Sequence, residues 1–170
     1  IYDAKPCELG EGALWHPGRQ ALFCFDILHK RLHMKGEDGL TVWDMPDLTS
    51  AAAILSQDAL LLASESALWR FDIATGSQSR LVALDAEDSG TRSNDGRADR
   101  QGGFWIGTMG KKAEPGAGAI YRYYDGALRR LRIAPQPLVR RFSILMPHAA
   151  TPSRAAARFM ALCVGELEVG

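Results

Sequence analysis

Short apolar runs recur along the chain at nearly constant spacing. They begin at Ala21, Ala59 and Gly103, so that consecutive starts are 38 and 44 residues apart. Each run is too short for a stable helix and is bounded by Gly, Asp or Ser, which favours a strand buried on both faces. A period of roughly 40 residues is typical of the four-stranded blade of a β-propeller.

Each apolar run is followed by two further strand-like segments, with turn residues such as Asp125-Gly126 between them. These segments are residues 31–34, 67–71 and 119–123, and then 40–43, 78–82 and 128–131. Residues 45–48 and 111–118 are predicted loops. The repeat predicts an all-β fold, and it fits a propeller better than a β-sandwich. Because a propeller typically closes with four to eight blades, about three blades would form a truncated, partial propeller.

The pattern changes after Ile133. The remaining residues are rich in Ala, Arg and Pro and lack the blade pattern, although residues 155–162 favour a helix. We therefore predict a partial propeller domain over residues 1–133 and an irregular or helical tail over residues 134–170. Two origins of this tail stay open: it is native, or it is a frameshift product, because the codons for residues 142–147 can be reread as a blade-start turn.

Composition narrows the classes of partner. Lys plus Arg number 20 and Asp plus Glu number 20, so there is no charge bias toward nucleic acid or membranes. No segment approaches the roughly 18 apolar residues of a membrane span, and no signal peptide is recognisable. The three cysteines lack metal-binding spacing, which favours free thiols. We predict a cytoplasmic protein with a small-molecule partner, no nucleic acid and no membrane, and we leave its oligomeric state open. The start at Ile1, without Met, suggests that preceding residues are missing.

The polar stretch over residues 91–99 is the main candidate for a binding site. It is predicted as a loop that runs into an apolar strand, so that Arg92 and Asn94 would be held on a rigid support. Considered alone, Asn94-Asp95-Gly96 is more often a simple turn. We interpret Asp95 as part of that turn and Asp99 as a cap of the following strand.

Three ordered motifs carry a family resemblance. They are Gly10-Glu11-Gly12 followed by Trp15, then Arg92-x-Asn94-Asp95-Gly96, and then Gly107-Thr108-Met109. Together they resemble the SMP-30/gluconolactonase/LRE (regucalcin-like) family over residues 5–132. The resemblance implies a six-bladed β-propeller that holds one divalent cation at the mouth of its central channel and hydrolyses sugar lactones.

The resemblance also implies roles for individual residues. Glu11 matches a metal-ligand glutamate, Asn94 an asparagine that faces metal and substrate, and Arg92 a substrate-binding arginine. Lys112 falls nearest the place of a substrate-binding glutamate, which changes the expected substrate preference. The family's later asparagine and its general-base aspartate have no counterpart here, so the catalytic residue is unassigned. We expect one divalent cation (Ca, Zn, Mn or Mg) that binds weakly.

The resulting hypothesis is a divalent-metal-dependent sugar lactonase of the gluconolactonase or arabinonolactonase type. It would convert aldonolactones into aldonic acids, and this truncated chain would be inactive alone. The alternatives are a non-catalytic calcium-binding regucalcin-like propeller and a misfolding product of a truncated gene. We interpret four tryptophans as core residues between blades: Trp15, Trp43, Trp69 and Trp105.

Overall fold

The computed structural model describes residues 6–132 and 153–158. Residues 6–132 form three four-stranded antiparallel sheets that follow one another along the chain. Sheet 1 contains β1 (Gly10–His16), β2 (Ala21–Asp26), β3 (Arg31–Gly36) and β4 (Gly39–Asp44). Sheet 2 contains β5 (Thr49–Ser56), β6 (Ala59–Ser64), β7 (Ala67–Asp72) and β8 (Gln78–Ala83). Sheet 3 contains β9 (Thr91–Ala98), β10 (Phe104–Gly110), β11 (Ile120–Tyr124) and β12 (Ala127–Arg130).

Every sheet is a meander in which each strand pairs with the next one in sequence. The all-β prediction is therefore confirmed, and the predicted apolar runs and the strands that follow them lie in these meanders. The loops predicted at residues 45–48 and 111–118 are also loops in the structure. The first strands of the three sheets are neighbours, because β5 packs beside both β1 and β9.

The prediction of a polar loop over residues 91–99 is wrong, because most of this stretch is strand β9. Thr91 and Ser93 are buried, whereas Arg92 is half-buried and Asn94 is exposed. The side chains thus begin with the period of two that a strand requires. The buried positions hold small hydroxyl side chains, so the pattern carries no apolar signal that sequence analysis could detect.

Two hydrophobic clusters hold the sheets together. The first joins sheets 1 and 2 and includes Phe23, Phe25, Leu62 and Phe71. The second joins sheets 2 and 3, and its largest members are Leu61, Leu68, Leu84, Phe104, Ile106 and Tyr121. Burial of one such side chain contributes about 1.5–3 kcal/mol, so the sheet-to-sheet contacts are a main source of stability.

The four tryptophans divide into two pairs. Trp43 and Trp69 pack against the cluster between sheets 1 and 2, as predicted. Trp15 and Trp105 are not core residues, because their exposed fractions are 47% and 39%. Both lie on sheet faces that point away from sheet 2, and no other sheet among residues 6–132 covers these faces.

The second described segment is a short helical stretch at residues 154–158. Ser153 caps it, since its hydroxyl oxygen accepts a hydrogen bond from Ala156 N (3.2 Å). The rest of the helix predicted over residues 155–162 lies outside the described residues, as does the segment on which the frameshift hypothesis rests. In the described residues, no helix has the length and apolar character needed to cross a membrane.

Candidate functional site

A buried serine joins the first strands of sheets 2 and 3. The Ser50 hydroxyl in β5 lies 2.7 Å from Ser93 Oγ and 2.5 Å from the Asn94 carbonyl oxygen in β9, so its single proton is shared between these two acceptors. Ser93 Oγ in turn donates to the Ala63 carbonyl at 3.1 Å. Ser50 and Ser93 are each 1% exposed. Because these hydroxyls are satisfied within the protein, they fix the position of the Asn94 backbone.

The first strand of sheet 1 meets the same serine. Gly12 has φ +65°, and a Cβ atom at this position would overlap the Ser50 carbonyl oxygen. Only glycine permits this approach without strain. The strand β1 is also irregular between Glu11 and Leu14. Gly12, which follows Glu11, and Asn94 therefore both contact Ser50, so Glu11 and Asn94 belong to the same end of the three sheets. We call this end the mouth.

The segment before Glu11 is also fixed. The carboxylate of Asp26 accepts hydrogen bonds from the backbone amides of Glu8 (3.2 Å) and Leu9 (3.3 Å) and from His29 Nδ1 (2.8 Å). Burial alone would raise the pKa of Asp26, but these hydrogen bonds outweigh it and lower the pKa to about 2. Asp26 is therefore ionised, and it orders the chain that leads into Glu11.

The predicted substrate arginine is anchored beside Asn94. Arg92 is half-buried, and its Nη1 donates to the Ser93 carbonyl at 2.8 Å. A guanidinium group has five N–H donors, so most of them stay available for a ligand. Within residues 6–132 and 153–158, no carboxylate forms an ion pair with Arg92. The side chain is thus a fixed hydrogen-bond donor at the mouth.

The loop that follows β10 carries Lys112. In sheet 3, Met109 pairs with Arg92 and Gly110 pairs with Thr91, so the loop starts at the mouth. Lys111 N donates to the Gly90 carbonyl at 2.8 Å. Lys112 is exposed. The three predicted ligand-binding residues of sheet 3 therefore belong to one end of that sheet.

A divalent cation would find suitable but few ligands here. Glu11 and Asn94 are both exposed and offer a carboxylate and an amide oxygen, the donors that hard cations prefer. The described part of the chain contains no group of three or more His, Cys, Asp or Glu side chains that could hold a metal ion. The two oxygens fit such a cation in type, and most of its coordination positions would be left to water.

Asp95 and Asp99 have structural roles. Asp95 Oδ1 accepts a hydrogen bond from Gly96 N at 2.8 Å. Asp99 Oδ1 accepts from Gly103 N at 2.7 Å, and Asp99 Oδ2 accepts from the indole of Trp105 at 2.8 Å. Burial tends to raise the pKa of Asp99, but the hydrogen bonds lower it to about 2. Asp99 therefore holds the turn between β9 and β10, as its predicted role as a cap requires.

Two residues that join the sheets at the mouth could not be found from the sequence: Ser50, and Glu65, whose Oε2 lies 2.5 Å from the Lys111 Nζ of sheet 3. Neither carries a motif, because a serine at the start of a strand and a glutamate in a turn are ordinary surface choices. Small side chains such as Ala13 and Ala52 leave a groove of about 200 Å³ along the first strands, lined also by Asp95 and Arg97. Only the three-dimensional register places these residues together.

Comparison with known proteins shows which family the chain resembles. The model of the SMP-30/gluconolactonase/LRE-like region matches residues 9–136. An L-arabinolactonase of Azospirillum brasilense is 38% identical over 133 residues, which are 75% of this chain and 44% of the relative. A pentonolactonase of Haloferax volcanii is 33% identical over 124 residues, 68% of this chain and 39% of the relative.

The fold is also that of a solved relative. The crystal structure of regucalcin from Agrobacterium tumefaciens, described as a calcium-binding protein, aligns with a TM-score of 0.75 and 39% identity. The alignment covers 77% of this chain and 45% of that protein. The chain thus spans less than half the length of the relatives that it matches. The resemblance predicted from three sequence motifs is confirmed, and the chain belongs to the SMP-30/gluconolactonase/LRE-like family.

Proposed function

We propose that this chain supplies one half of the active site of a divalent-cation-dependent sugar lactonase. The observation that carries the proposal is the contact of Ser50 with both Gly12 and Asn94, which links the strand of Glu11 to the strand of Arg92 and Asn94. Two of the relatives are named as lactonases of pentose sugars, which supports lactones of aldonic acids as the substrate class.

In this proposal, Glu11 and Asn94 hold the cation, while Arg92 binds the oxygens of the sugar ring. A bound divalent cation would act as a Lewis acid toward the lactone carbonyl. Arg92 donates hydrogen bonds in a fixed plane, which orients the ring and limits the positions that it can take. Lys112 contributes a further contact from the loop after β10. No described residue is assigned as general base, so we expect the 170-residue chain to be inactive alone.

We also propose that the three sheets are consecutive blades of a six-bladed ring. Two observations support this proposal. The chain covers less than half the length of each of these relatives, and the first strands β1, β5 and β9 are neighbours in that order. On this basis residues 1–133 form a partial propeller domain, and residues 134–170 form a separate tail. Cytoplasmic location stays a prediction.

A chimera tests the proposed function. Residues 1–132 would be joined to the C-terminal half of the Azospirillum brasilense L-arabinolactonase and assayed with L-arabinonolactone and Mn²⁺. We expect hydrolysis that a chelator abolishes, and a loss of about 100-fold or more in Glu11→Gln, because a ligand to the cation is removed. Glu37→Gln, which changes an exposed glutamate in the turn between β3 and β4, is the matched control. A folded chimera without activity, or one that Glu11→Gln leaves active, would contradict the proposal.

A non-catalytic calcium-binding protein is the second candidate, and the 39% identity with Agrobacterium regucalcin favours it. It predicts calcium binding by the same chimera without turnover of any aldonolactone. Isothermal titration with Ca²⁺, run beside the lactone assay, separates the two candidates.

A further inference from the structure

The first strand of every sheet contains a β-bulge, a place where that strand has one residue more than its partner. The register shifts fall at Gly12-Ala13 in β1, at Ser50 in β5 and at Asn94-Asp95 in β9. A bulge interrupts the ladder of backbone hydrogen bonds and turns side chains into new directions. Contacts outside the ladder must therefore hold the backbone at these three places.

Ser50 provides such contacts for the bulges on both sides of it. Its carbonyl oxygen faces Gly12, where an added Cβ atom would overlap it. Its hydroxyl lies 2.5 Å from the Asn94 carbonyl oxygen and 2.7 Å from Ser93 Oγ. The backbone of one residue thus meets the bulge of β1, while its side chain meets the bulge of β9.

The position of Ser50 is itself well defined. The residue is 1% exposed, and its strand β5 packs beside both β1 and β9. Ser93, which shares the Ser50 proton with Asn94, donates its own hydroxyl proton to the Ala63 carbonyl at 3.1 Å. Because water does not reach these groups, the hydrogen bonds between them are stronger than they would be at the surface.

The two sides of this junction are held in different ways. The chain before Glu11 is ordered by Asp26, whose carboxylate accepts hydrogen bonds from the amides of Glu8 and Leu9. Asn94 instead lies in the bulge of β9, where the Ser50 hydroxyl contacts its carbonyl oxygen. Loss of that hydroxyl should therefore release Asn94 and leave Glu11 in place.

We propose that Ser50 is a positioning residue for the cation, since its hydroxyl sets the distance between the Glu11 carboxylate and the Asn94 amide. This inference rests on the proposed function, in which Glu11 and Asn94 hold the ion. Ser50 does not bind the cation itself. It acts through the backbone of Asn94, as residues behind a metal ligand do when they fix the orientation of that ligand.

Mn²⁺ binding to the 170-residue chain tests this role. Electron paramagnetic resonance of the free ion gives the affinity, and the amide NMR signals of Gly12 and Asn94 report which strands approach the bound ion. In the unsubstituted chain, both signals should broaden together. In Ser50→Ala, we expect about tenfold weaker binding. At equal occupancy of the ion, the Gly12 signal should still broaden, whereas the Asn94 signal should broaden less.

Two further variants separate positioning from general stability. Ser64→Ala is the matched control, because Ser64 is also 1% exposed in sheet 2 and its hydroxyl bonds to the Ala67 carbonyl and the Trp69 indole. It should lower the melting temperature as Ser50→Ala does, without changing Mn²⁺ affinity or the joint broadening. Ser50→Cys keeps nearly the same shape with a weaker donor, so its affinity should be intermediate. It decides the question if Ser50→Ala does not fold.

The other outcomes distinguish the inference from the function on which it rests. Unchanged Mn²⁺ affinity and joint broadening in folded Ser50→Ala or Ser50→Cys would overturn the role of Ser50 and leave the proposed function standing. An equal loss of affinity in Ser64→Ala would also overturn it, since any buried hydroxyl would then have the same effect. If Gly12 and Asn94 do not broaden together in the unsubstituted chain, the proposed cation site itself is contradicted.

Discussion

Sheets 2 and 3 have the same strand order, but within residues 6–132 only sheet 2 is covered on both faces. All six residues of β6 are buried: Leu60 and Leu62 belong to the cluster on one side of the sheet, and Leu61 and Ala63 belong to the cluster on the other. Sheet 3 buries one face against sheet 2. Its opposite face carries three exposed large side chains: Trp105, Ile120 and Tyr124, at 39%, 37% and 50% exposed. Burial is thus decided by the neighbouring sheets as well as by the apolar character of the strand.

A sheet that lacks one of its two neighbours exposes apolar side chains on the uncovered face. A sheet in a ring of sheets packs on both sides, so its two faces are apolar whether or not both neighbours are present. The outer face of sheet 3 is mixed, because the Arg122 guanidinium lies over the rings of Trp105 and Tyr124 there. Among residues 6–132, no other sheet covers this face.

The largest expected effect is a core truncation in sheet 2. Leu62 is fully buried between sheets 1 and 2, so Leu62→Ala should lower the free energy of unfolding by about 2–5 kcal/mol. Ile120→Ala in the exposed face of sheet 3 should cost less than about 1 kcal/mol. Urea unfolding followed by tryptophan fluorescence measures both. Equal costs would show that the outer face of sheet 3 is buried in solution.

A second, smaller effect is expected where sheets 1 and 2 meet at the mouth. Gly12→Ala forces a side chain onto the Ser50 carbonyl in a left-handed backbone conformation, and it should cost about 1–3 kcal/mol. Gly126 has a similar φ of +75° with no atom near its missing side chain, so Gly126→Ala isolates the cost of the conformation. We expect Gly12→Ala to be the more destabilising of the two. If Gly126→Ala lowers the melting temperature more than Gly12→Ala, the close approach of Gly12 to the Ser50 carbonyl is contradicted.

The third prediction concerns pH and the turn of sheet 3. The pKa of Asp99 is about 2 in the folded protein, below the ordinary value of 3.8. The folded state therefore binds its proton less readily, so the stabilisation is fully present above pH 3.8 and is lost as the pH falls toward 2. Asp99→Asn should lower the melting temperature at pH 7, and the difference from the unsubstituted chain should shrink below pH 3.8. A difference that is constant between pH 7 and pH 2 would contradict this assignment.

The smallest effect on stability is expected on the outer face of sheet 3. The double variant Ile120→Thr, Tyr124→Ser should change the free energy of unfolding by only about 0.5 kcal/mol, because both side chains are already exposed. It should nevertheless reduce binding of an apolar dye and light scattering at high concentration, since it removes part of an apolar patch. Unchanged dye binding would show that this face is not the apolar surface to which the dye binds.

Much of the fold could be predicted from sequence, because the signal lies in apolar runs and turns. The runs at Ala21, Ala59 and Gly103 mark the second strand of each sheet. The prediction that such a strand is buried on both faces holds for β6, whereas β2 and β10 alternate between buried residues and residues that are half-buried or exposed. The strands β5 and β9 gave no such signal. They bury alanines, serines and two threonines, whose burial depends on hydrogen bonds and on neighbours that only the fold supplies.

The candidate site, too, was only partly predictable from the sequence. Glu11, Arg92 and Asn94 were proposed as ligand-binding residues from motifs, because the residue types and their order are sufficient for that proposal, and their roles stay a prediction. The contacts that assemble them could not be predicted, because Ser50 and Glu65 act through distances between sheets. Exposure of Trp15 and Trp105 was also unpredictable, since large aromatic side chains suggest a core unless the number of covering sheets is known.

The central claim is that Glu11 and Asn94 share one mouth, and paramagnetic relaxation by Mn²⁺ tests it most directly. In an amide NMR titration, the signals of Gly12 and Asn94 should broaden together at the same Mn²⁺ concentrations. The signals of Gly18 and Gly102, which lie in the turns at the opposite ends of β1 and β9, should stay sharp. Broadening of Gly12 without Asn94, of Asn94 without Gly12, or of all four signals alike would contradict the account.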